Sequence, residues 1–241
     1  RIIYSLSAPF GEMVSFFDKL LVGTALNIAY VYMALFFWAL FEWLATARRD
    51  ALLWAALGGA GMMFFHSVVG LSVLRVSLAV LGLAWLVRGR WNWLPARGTL
   101  VAVAAATLAG MLVSLPYMRS ITSGWAPEKA GFRHQYVGLQ PEMLWTLVTA
   151  TAVVLWFVPG AVIDAWRRRA PMLVTMAAFA AGLVVFTGVV HLPMHNSVKF
   201  VFEFFFAALV VTAPFLARGL ARFWNERRRV AAVVFALAFG V

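Results

Sequence analysis

A lysine, a carboxylate and an amide at helical spacing stand at the start of an apolar stretch near the end of the chain. Lys199 and Glu203 are four residues apart, and Asn196 is three residues before Lys199. Residues at these separations share one face of a helix. A cation on that face, beside a membrane surface, suits a phosphate or diphosphate group. The alternative interpretation is structural: Lys199 extends to the lipid headgroups and pairs with Glu203.

A second basic residue, Arg75, lies inside another apolar stretch, nine residues after His66. An arginine at that depth would bind a phosphate through two parallel hydrogen bonds. If the helix begins later than Ser67, Arg75 is instead an interfacial residue. His66 itself, just before the turn containing Gly70, is interpreted either as a hydrogen-bonded capping residue or as a ligand for an anionic headgroup.

Two further groups of polar residues carry a weaker signal. His191 and His195 are separated by Pro193, which disfavours a shared helical face, and a zinc site needs further ligands. They are interpreted as polar residues at a membrane boundary, and no metal site or cofactor is predicted, with a divalent-metal requirement left open. The long polar loop Pro116 to Pro141 also holds candidates for acid or base chemistry, although no spacing singles one out: Glu128, Arg133 and His134.

The composition is that of a membrane protein. Hydrophobic residues make up 64% of the chain and charged residues 12%, against about a quarter charged in soluble domains. The net charge of +11 is divided among clusters at the ends of apolar stretches, which favours anionic lipids rather than nucleic acid as the partner. Because the chain has no cysteine, it has no disulfide, thiolate metal site or cysteine nucleophile.

The apolar stretches predict an all-α polytopic transmembrane bundle of roughly eight crossings, forming one domain over residues 1–241. Arg1 to Lys19 is predicted as an interfacial or re-entrant segment. The final run, Val230 to Val241, is short of the roughly twenty residues that a span needs, so the chain is interpreted as a fragment cut at both ends. The other predicted crossings are Leu20 to Trp43, Ala51 to Phe65, Ser67 to Val87, Gly98 to Leu115, Glu142 to Trp166, Pro171 to Leu192 and Val198 to Leu216.

Arginine is concentrated in every second loop, and this sets the predicted orientation. Because Lys and Arg are enriched in cytoplasmic loops, these loops are assigned to the cytoplasm, and Lys199, Arg75 and His66 fall on the opposite side. Thirteen of the twenty Lys and Arg residues belong to the clusters: Arg48, Arg49, Arg88, Arg90, Arg97, Arg167, Arg168, Arg169, Arg218, Arg222, Arg227, Arg228 and Arg229.

The stretch Ala51 to Phe65 is unusually short for a crossing. At 1.5 Å per residue, about fifteen residues fall short of the ~30 Å hydrocarbon thickness. Either this arm ends below the surface in a protein-lined cavity, or the true turn lies nearer Arg75. The glycines within it, Gly58, Gly59 and Gly61, are interpreted as sites of close helix packing.

Two motifs resemble the polytopic GT-C membrane glycosyltransferases. One is His66-Ser67-Val68-Val69-Gly70-Leu71 after the short arm, and the other is Leu192-Pro193-Met194-His195-Asn196-Ser197-Val198-Lys199-Phe200. The resemblance would cover most of the chain as a middle or C-terminal portion. It implies a bacterial inner-membrane enzyme that transfers a sugar from a polyprenyl-phosphate carrier to an acceptor on the extracytoplasmic side.

By that resemblance, Lys199 and Asn196, with Arg75, His66 and Glu203, would form the lipid-phosphate site. The family's catalytic aspartate is not matched here, because its region would precede Arg1, so the catalytic residue stays unassigned. Two alternatives remain: a transporter or flippase of a lipid-linked or anionic substrate, and a membrane assembly subunit without a site. The sugar, the acceptor and the oligomeric state are not determined by the sequence.

Overall fold

The computed structural model describes residues 25–123, 136–139, 141–191 and 199–225, together with residues 233 and 236. This part of the chain is all-helical apart from one short strand pairing. The helices in it are α1 (Ala25–Thr46), α2 (Arg49–Phe65), α3 (Ser67–Val87), α4 (Arg97–Ser123), α5 (Pro141–Ala150), α6 (Ala152–Arg167), α7 (Pro171–Val189) and α8 (Lys199–Asn225).

Five of these helices are long and apolar enough to cross a membrane, and the chain is an integral membrane protein. The spans are Ala25–Thr46, Ser67–Val87, Arg97–Tyr117, Pro171–Val189 and Lys199–Trp224. Helices α5 and α6, bent by 87° where they meet, count as a sixth if they form one broken span.

The predicted count of roughly eight crossings is not confirmed. Helix α2 has 17 residues, which is less than a full span. Most of the final run, Val230 to Val241, lies outside the described residues, as does Arg1 to Lys19. The predicted turn at His66 is confirmed, because α2 ends at Phe65 and α3 begins at Ser67.

The helices alternate in direction, so the bundle has two chemically different ends. One, called here the arginine end, carries the C-terminal ends of α1, α3, α6 and α8 and the N-terminal ends of α2, α4 and α7. Asp164 there pairs with Arg168 at 2.8 Å and with Arg218, and Arg48 pairs with Asp50 at 2.7 Å. Asp164 therefore forms ion pairs at the end of α6.

The opposite end, called here the His66 end, is where α3 and α8 begin. A two-residue antiparallel pairing lies there and joins Tyr136–Val137 (β1) to Val190–His191 (β2). The backbone N–H of Gly138 donates to the carbonyl of Val189 at 2.7 Å. This pairing ties the segment before α5 to the end of α7.

Small residues let α2 pack closely against α1 and α4, as predicted. A Cβ atom on Gly58 would lie 2.9 Å from the Cα of Phe36 in α1, and one on Gly110 of α4 would lie 2.7 Å from the carbonyl oxygen of Ala56. Within lipid, such backbone approach supplies the packing that holds helices together. The short helix is thus fixed between two longer ones.

The core of the bundle lies between α1, α3, α7 and α8 and is filled mainly by aromatic and branched side chains. Phe37 and Phe179 meet edge to face with ring centroids 4.8 Å apart, an arrangement that aromatic quadrupoles favour. Val73 and Leu183 belong to the same core cluster and are completely buried. This core fixes the relative positions of the helices that carry the polar residues described next.

Candidate functional site

His66 is the residue at which α2 stops and α3 starts. Its extended backbone interrupts the helix, while its N–H still donates to the carbonyl of Met62 at 2.8 Å. Its Nδ1 atom lies 3.4 Å from the backbone N–H of Val69, in the position of an N-terminal cap, at the long limit for a hydrogen bond. The capping interpretation of His66 therefore agrees with the geometry, and the cap contact is a weak one.

Lys199, at the first turn of α8, lies against the other side of the same ring. Its Nζ is 2.9 Å from Nε2 of His66. An ammonium only donates, and a neutral imidazole has one lone-pair nitrogen. Lys199 and the Val69 N–H therefore compete for that lone pair, and the contact with Lys199 is the shorter.

The environment of His66 favours the neutral ring. Burial between the helix ends, and next the positive charge of Lys199, lower the pKa of the imidazole from 6.5 to about 4. Both effects disfavour a second positive charge at this position. At neutral pH the pair therefore carries one positive charge, on Lys199.

One turn further along α8, Glu203 is fully buried and hydrogen-bonds across to α3. Its two carboxyl oxygens lie 2.8 and 2.7 Å from Oγ of Ser72. Lys199 and Glu203 interact electrostatically. The predicted shared face of these two residues therefore points into the bundle, where each side chain meets a different part of the α2–α3 hairpin.

Helix α1 adds two polar residues near the same end. Tyr30 is buried and interacts electrostatically with Glu203. Asn27 lies one turn before Tyr30. It is 6% exposed, and neither of its amide atoms has a hydrogen-bond partner among the described residues. A buried amide without partners is costly, and such groups often mark binding sites. Asn27, Tyr30, His66, Ser72, Lys199 and Glu203 are called here the polar cluster.

Arg75 is not a member of the polar cluster, although it lies only one turn after Ser72 on α3. It is exposed and borders a groove of about 600 Å³ between α3 and α7. The groove is lined by apolar side chains and one glycine, and Arg75 is the one charged residue among the lining residues in the described part of the chain. The lining residues are Arg75, Val76, Ala79, Val80, Leu83, Ala178, Ala181, Gly182, Val185, Phe186 and Val189.

The groove and the polar cluster are neighbours. Phe186, which lines the groove, meets the ring of Phe200 edge to face, with centroids 5.0 Å apart. Phe200 is the residue after Lys199. Gly182 forms part of the floor, where a Cβ would lie 2.7 Å from the side chain of Val76. The charged end of Arg75 and the polar cluster thus belong to adjacent regions near the His66 end.

The predicted site residues are brought together only in part. His66 contacts Lys199, and Glu203 lies one turn from it, whereas no hydrogen bond or ion pair within the described ranges joins Arg75 to them. Asn196 lies outside the described residues. So do the loop candidates Glu128, Arg133 and His134.

Ser72, Asn27 and Tyr30 were not predicted as site residues. A usable signal existed for Asn27, since an amide within an apolar span is costly unless it has a role. Ser72 gave none, because serine satisfies itself on its own helix by bonding the carbonyl four residues back, here Val68 at 2.9 Å. Among the described residues, no group of three His, Asp or Glu side chains is placed to hold a metal ion.

Comparison with known proteins adds no family to this description. No protein-family model, curated protein or solved structure matches the chain.

Proposed function

We propose that the chain is the membrane domain of a glycosyltransferase that takes its sugar from a polyprenyl-phosphate carrier. The sugar would be transferred on the side of the membrane opposite the arginine-rich loops. The observation that carries the proposal is Arg75, which lies in a membrane-spanning helix and is the one cation among the described residues that border an apolar groove. The resemblance of the two sequence motifs to GT-C enzymes supports the reaction.

The position of Arg75 argues for an anionic ligand. It is the ninth residue of α3, roughly 12 Å from the start of the helix at 1.5 Å per residue. An arginine at that depth is costly unless its charge is paired or reaches water. A lipid phosphate would pair with the guanidinium through two hydrogen bonds, while the hydrocarbon of the same lipid would lie along the apolar wall of the groove.

The polar cluster would then receive the polar part of the carrier. Asn27 offers an amide with both donor and acceptor capacity for a sugar hydroxyl, and Lys199 offers a cation beside Phe200. In the reaction, an acceptor hydroxyl attacks the anomeric carbon and the bond to the carrier phosphate breaks. Arg75 and Lys199 would stabilise the charge that develops on the leaving phosphate. The base that takes the acceptor proton is not assigned to a residue.

A second function, transport of a lipid-linked or anionic substrate, is favoured by a different observation. Glu203, Ser72 and Lys199 form polar contacts inside membrane-spanning helices. Buried ionisable residues of this kind frequently mark ion or substrate pathways. This candidate predicts movement of a substrate across the membrane without sugar transfer.

Substituting Arg75 tests the proposal in the full-length protein. Arg75→Gln should weaken binding of polyprenyl phosphate in nanodiscs by about 10- to 100-fold, the equivalent of ~1.5–3 kcal/mol for hydrogen bonds to a charged group. Arg75→Lys should bind polyprenyl phosphate with an affinity between those of the parent protein and Arg75→Gln, because lysine keeps the charge and loses the paired hydrogen bonds. Arg90→Gln, at the arginine end, removes the same charge and should leave binding unchanged.

Lys199→Ala then separates the candidate functions. Loss of sugar transfer in a folded protein supports the enzyme, and loss of substrate flux without any transfer chemistry supports the transporter. If Arg75→Gln binds polyprenyl phosphate as tightly as the parent and Lys199→Ala changes neither activity, the proposed function is wrong and a structural subunit becomes the better interpretation.

A further inference from the structure

The surroundings of Glu203 hold more oxygen acceptors than hydrogen donors. Oγ of Ser72 lies 2.8 and 2.7 Å from the two carboxyl oxygens, 2.9 Å from the carbonyl of Val68 and 3.0 Å from that of Val69. A serine hydroxyl has one hydrogen to donate. The carbonyls of Val68 and Val69 already accept backbone N–H groups within α3. If Glu203 is ionised, that single hydrogen must still serve both carboxylate oxygens.

A proton on Glu203 resolves this shortage. The carboxylic acid then donates its O–H to Oγ of Ser72, and Ser72 donates its own hydrogen to the carbonyl of Val68, one turn back. Every hydrogen in the group is used, and no full negative charge is placed in the bundle. The ionised form has Ser72 as its one hydrogen-bond donor in the described part of the chain, which is weak compensation for a fully buried carboxylate.

The charged neighbours of Glu203 do not replace that proton. From α8 itself, Lys199 faces it from one turn away but is held 2.9 Å from His66. Tyr30 faces it from α1, and a neutral phenol adds no charge. Helix α7 carries no titratable side chain between Pro171 and Val189. On α3, Arg75 is exposed and borders the groove, and within the described residues no hydrogen bond or ion pair joins it to Glu203.

We propose that Glu203 is a proton-binding site inside the membrane: it is a neutral carboxylic acid paired with Ser72, and it becomes an anion only when Lys199 leaves His66 to pair with it. The proton that Glu203 releases goes to water at the His66 end. In the first arrangement Glu203 holds the proton and Lys199 contacts His66; in the second, Lys199 pairs with ionised Glu203 instead. Binding of a proton at Glu203 is therefore coupled to the contact between His66 and Lys199. This proposal does not depend on sugar transfer.

Infrared spectroscopy tests the protonation state directly. The full-length protein in lipid nanodiscs at pH 7 should show the carbonyl stretching band of a protonated carboxylic acid, at higher frequency than carboxylate bands. Glu203→Gln should remove that band. Glu142→Gln, which changes an exposed carboxylate at the start of α5, is the matched control and should leave it in place.

A stability comparison gives a second readout that does not need the spectrum. Glutamine has the shape and hydrogen bonding of a neutral acid, so Glu203→Gln should melt close to the parent protein, while Glu203→Ala should melt clearly lower because it leaves Ser72 facing a cavity. The proposal is overturned if the band survives Glu203→Gln, or if Gln lowers the melting temperature as much as Ala. The latter is the result expected when an anion that pairs with Lys199 is lost.

Discussion

His66 separates the end of α2 from the start of α3, and its imidazole contacts Lys199, the first residue of α8. Its ring is held neutral, so protonating it in the folded protein is unfavourable. The folded-state pKa lies below the ordinary value of 6.5. Stability from this residue is therefore complete above about pH 6.5 and is lost as the pH falls toward 4, because the unfolded chain binds the proton first.

We expect His66→Asn to flatten this pH dependence. Asparagine is a good N-terminal cap and accepts a hydrogen bond from Lys199, but it does not titrate. Between pH 7 and pH 4 the parent protein should lose on the order of 2 kcal/mol more stability than the variant, since one pKa unit corresponds to about 1.4 kcal/mol and the ring is only partly buried. Melting temperatures in detergent across this range measure the difference. Equal slopes for the two proteins would contradict the assignment of a neutral His66.

Sequence reasoning at the residue scale found the ionisable members of the site and missed their partners. Lys199 and Glu203 stand out because charges in apolar helices are rare. The contacts of Lys199 with His66 and of Glu203 with Ser72 join residues more than 130 positions apart. Spacing along one helix gives no information about such contacts, because they depend on how α3 and α8 pack.

At the scale of elements, α2 depends on glycine at the points where other helices touch it. Gly58→Ala and Gly110→Ala should each destabilise the protein, because the new methyl group would meet backbone at 2.9 and 2.7 Å. Overpacking of this kind costs about 1–3 kcal/mol. Thermal unfolding in detergent measures the loss.

Gly82→Ala on α3 is the matched control for these variants. Nothing lies within 4 Å of a Cβ placed there, and alanine is preferred to glycine within a helix by up to about 1 kcal/mol. The control should therefore melt at or above the temperature of the parent. Destabilisation by all three substitutions would mean that glycine flexibility matters here, and that close packing does not explain the result.

The apolar stretches were enough to predict that helices form, but they were not enough to predict the number of membrane crossings. The turn at His66 was predictable because two apolar runs meet at a polar residue followed by a glycine. The span Glu142 to Trp166 was predicted as one helix, and the structure bends it sharply between α5 and α6. Hydropathy records the total apolar length of a stretch, and a bend leaves that total unchanged.

For the whole molecule, the alternation of arginine-rich and arginine-poor ends predicts sidedness. The chain has no native cysteine, so single cysteines report position without background. We expect Arg90→Cys, at the arginine end, to react with a membrane-impermeant maleimide only from the cytoplasmic side. Leu139→Cys, at a residue 77% exposed near the His66 end, should react only from the opposite side.

Labelling inverted and right-side-out vesicles in parallel gives the control. The cysteine that reacts in one preparation should be protected in the other. Labelling of both from one side would contradict the bundle as a set of membrane crossings. Labelling in the reverse sense would leave the fold intact and place the proposed site in the cytoplasmic leaflet, which removes the basis for extracytoplasmic sugar transfer.

Helix α8 is anchored by side chains at both of its ends. Lys199 holds it to His66, and Arg218 holds it to Asp164 of α6. Sliding along its own axis would break one anchor or the other. Pro214 lies between them and removes a backbone hydrogen bond from the helix interior. Flexing at this proline is therefore the motion that the two anchors permit, and the halves of α8 can change their tilt separately.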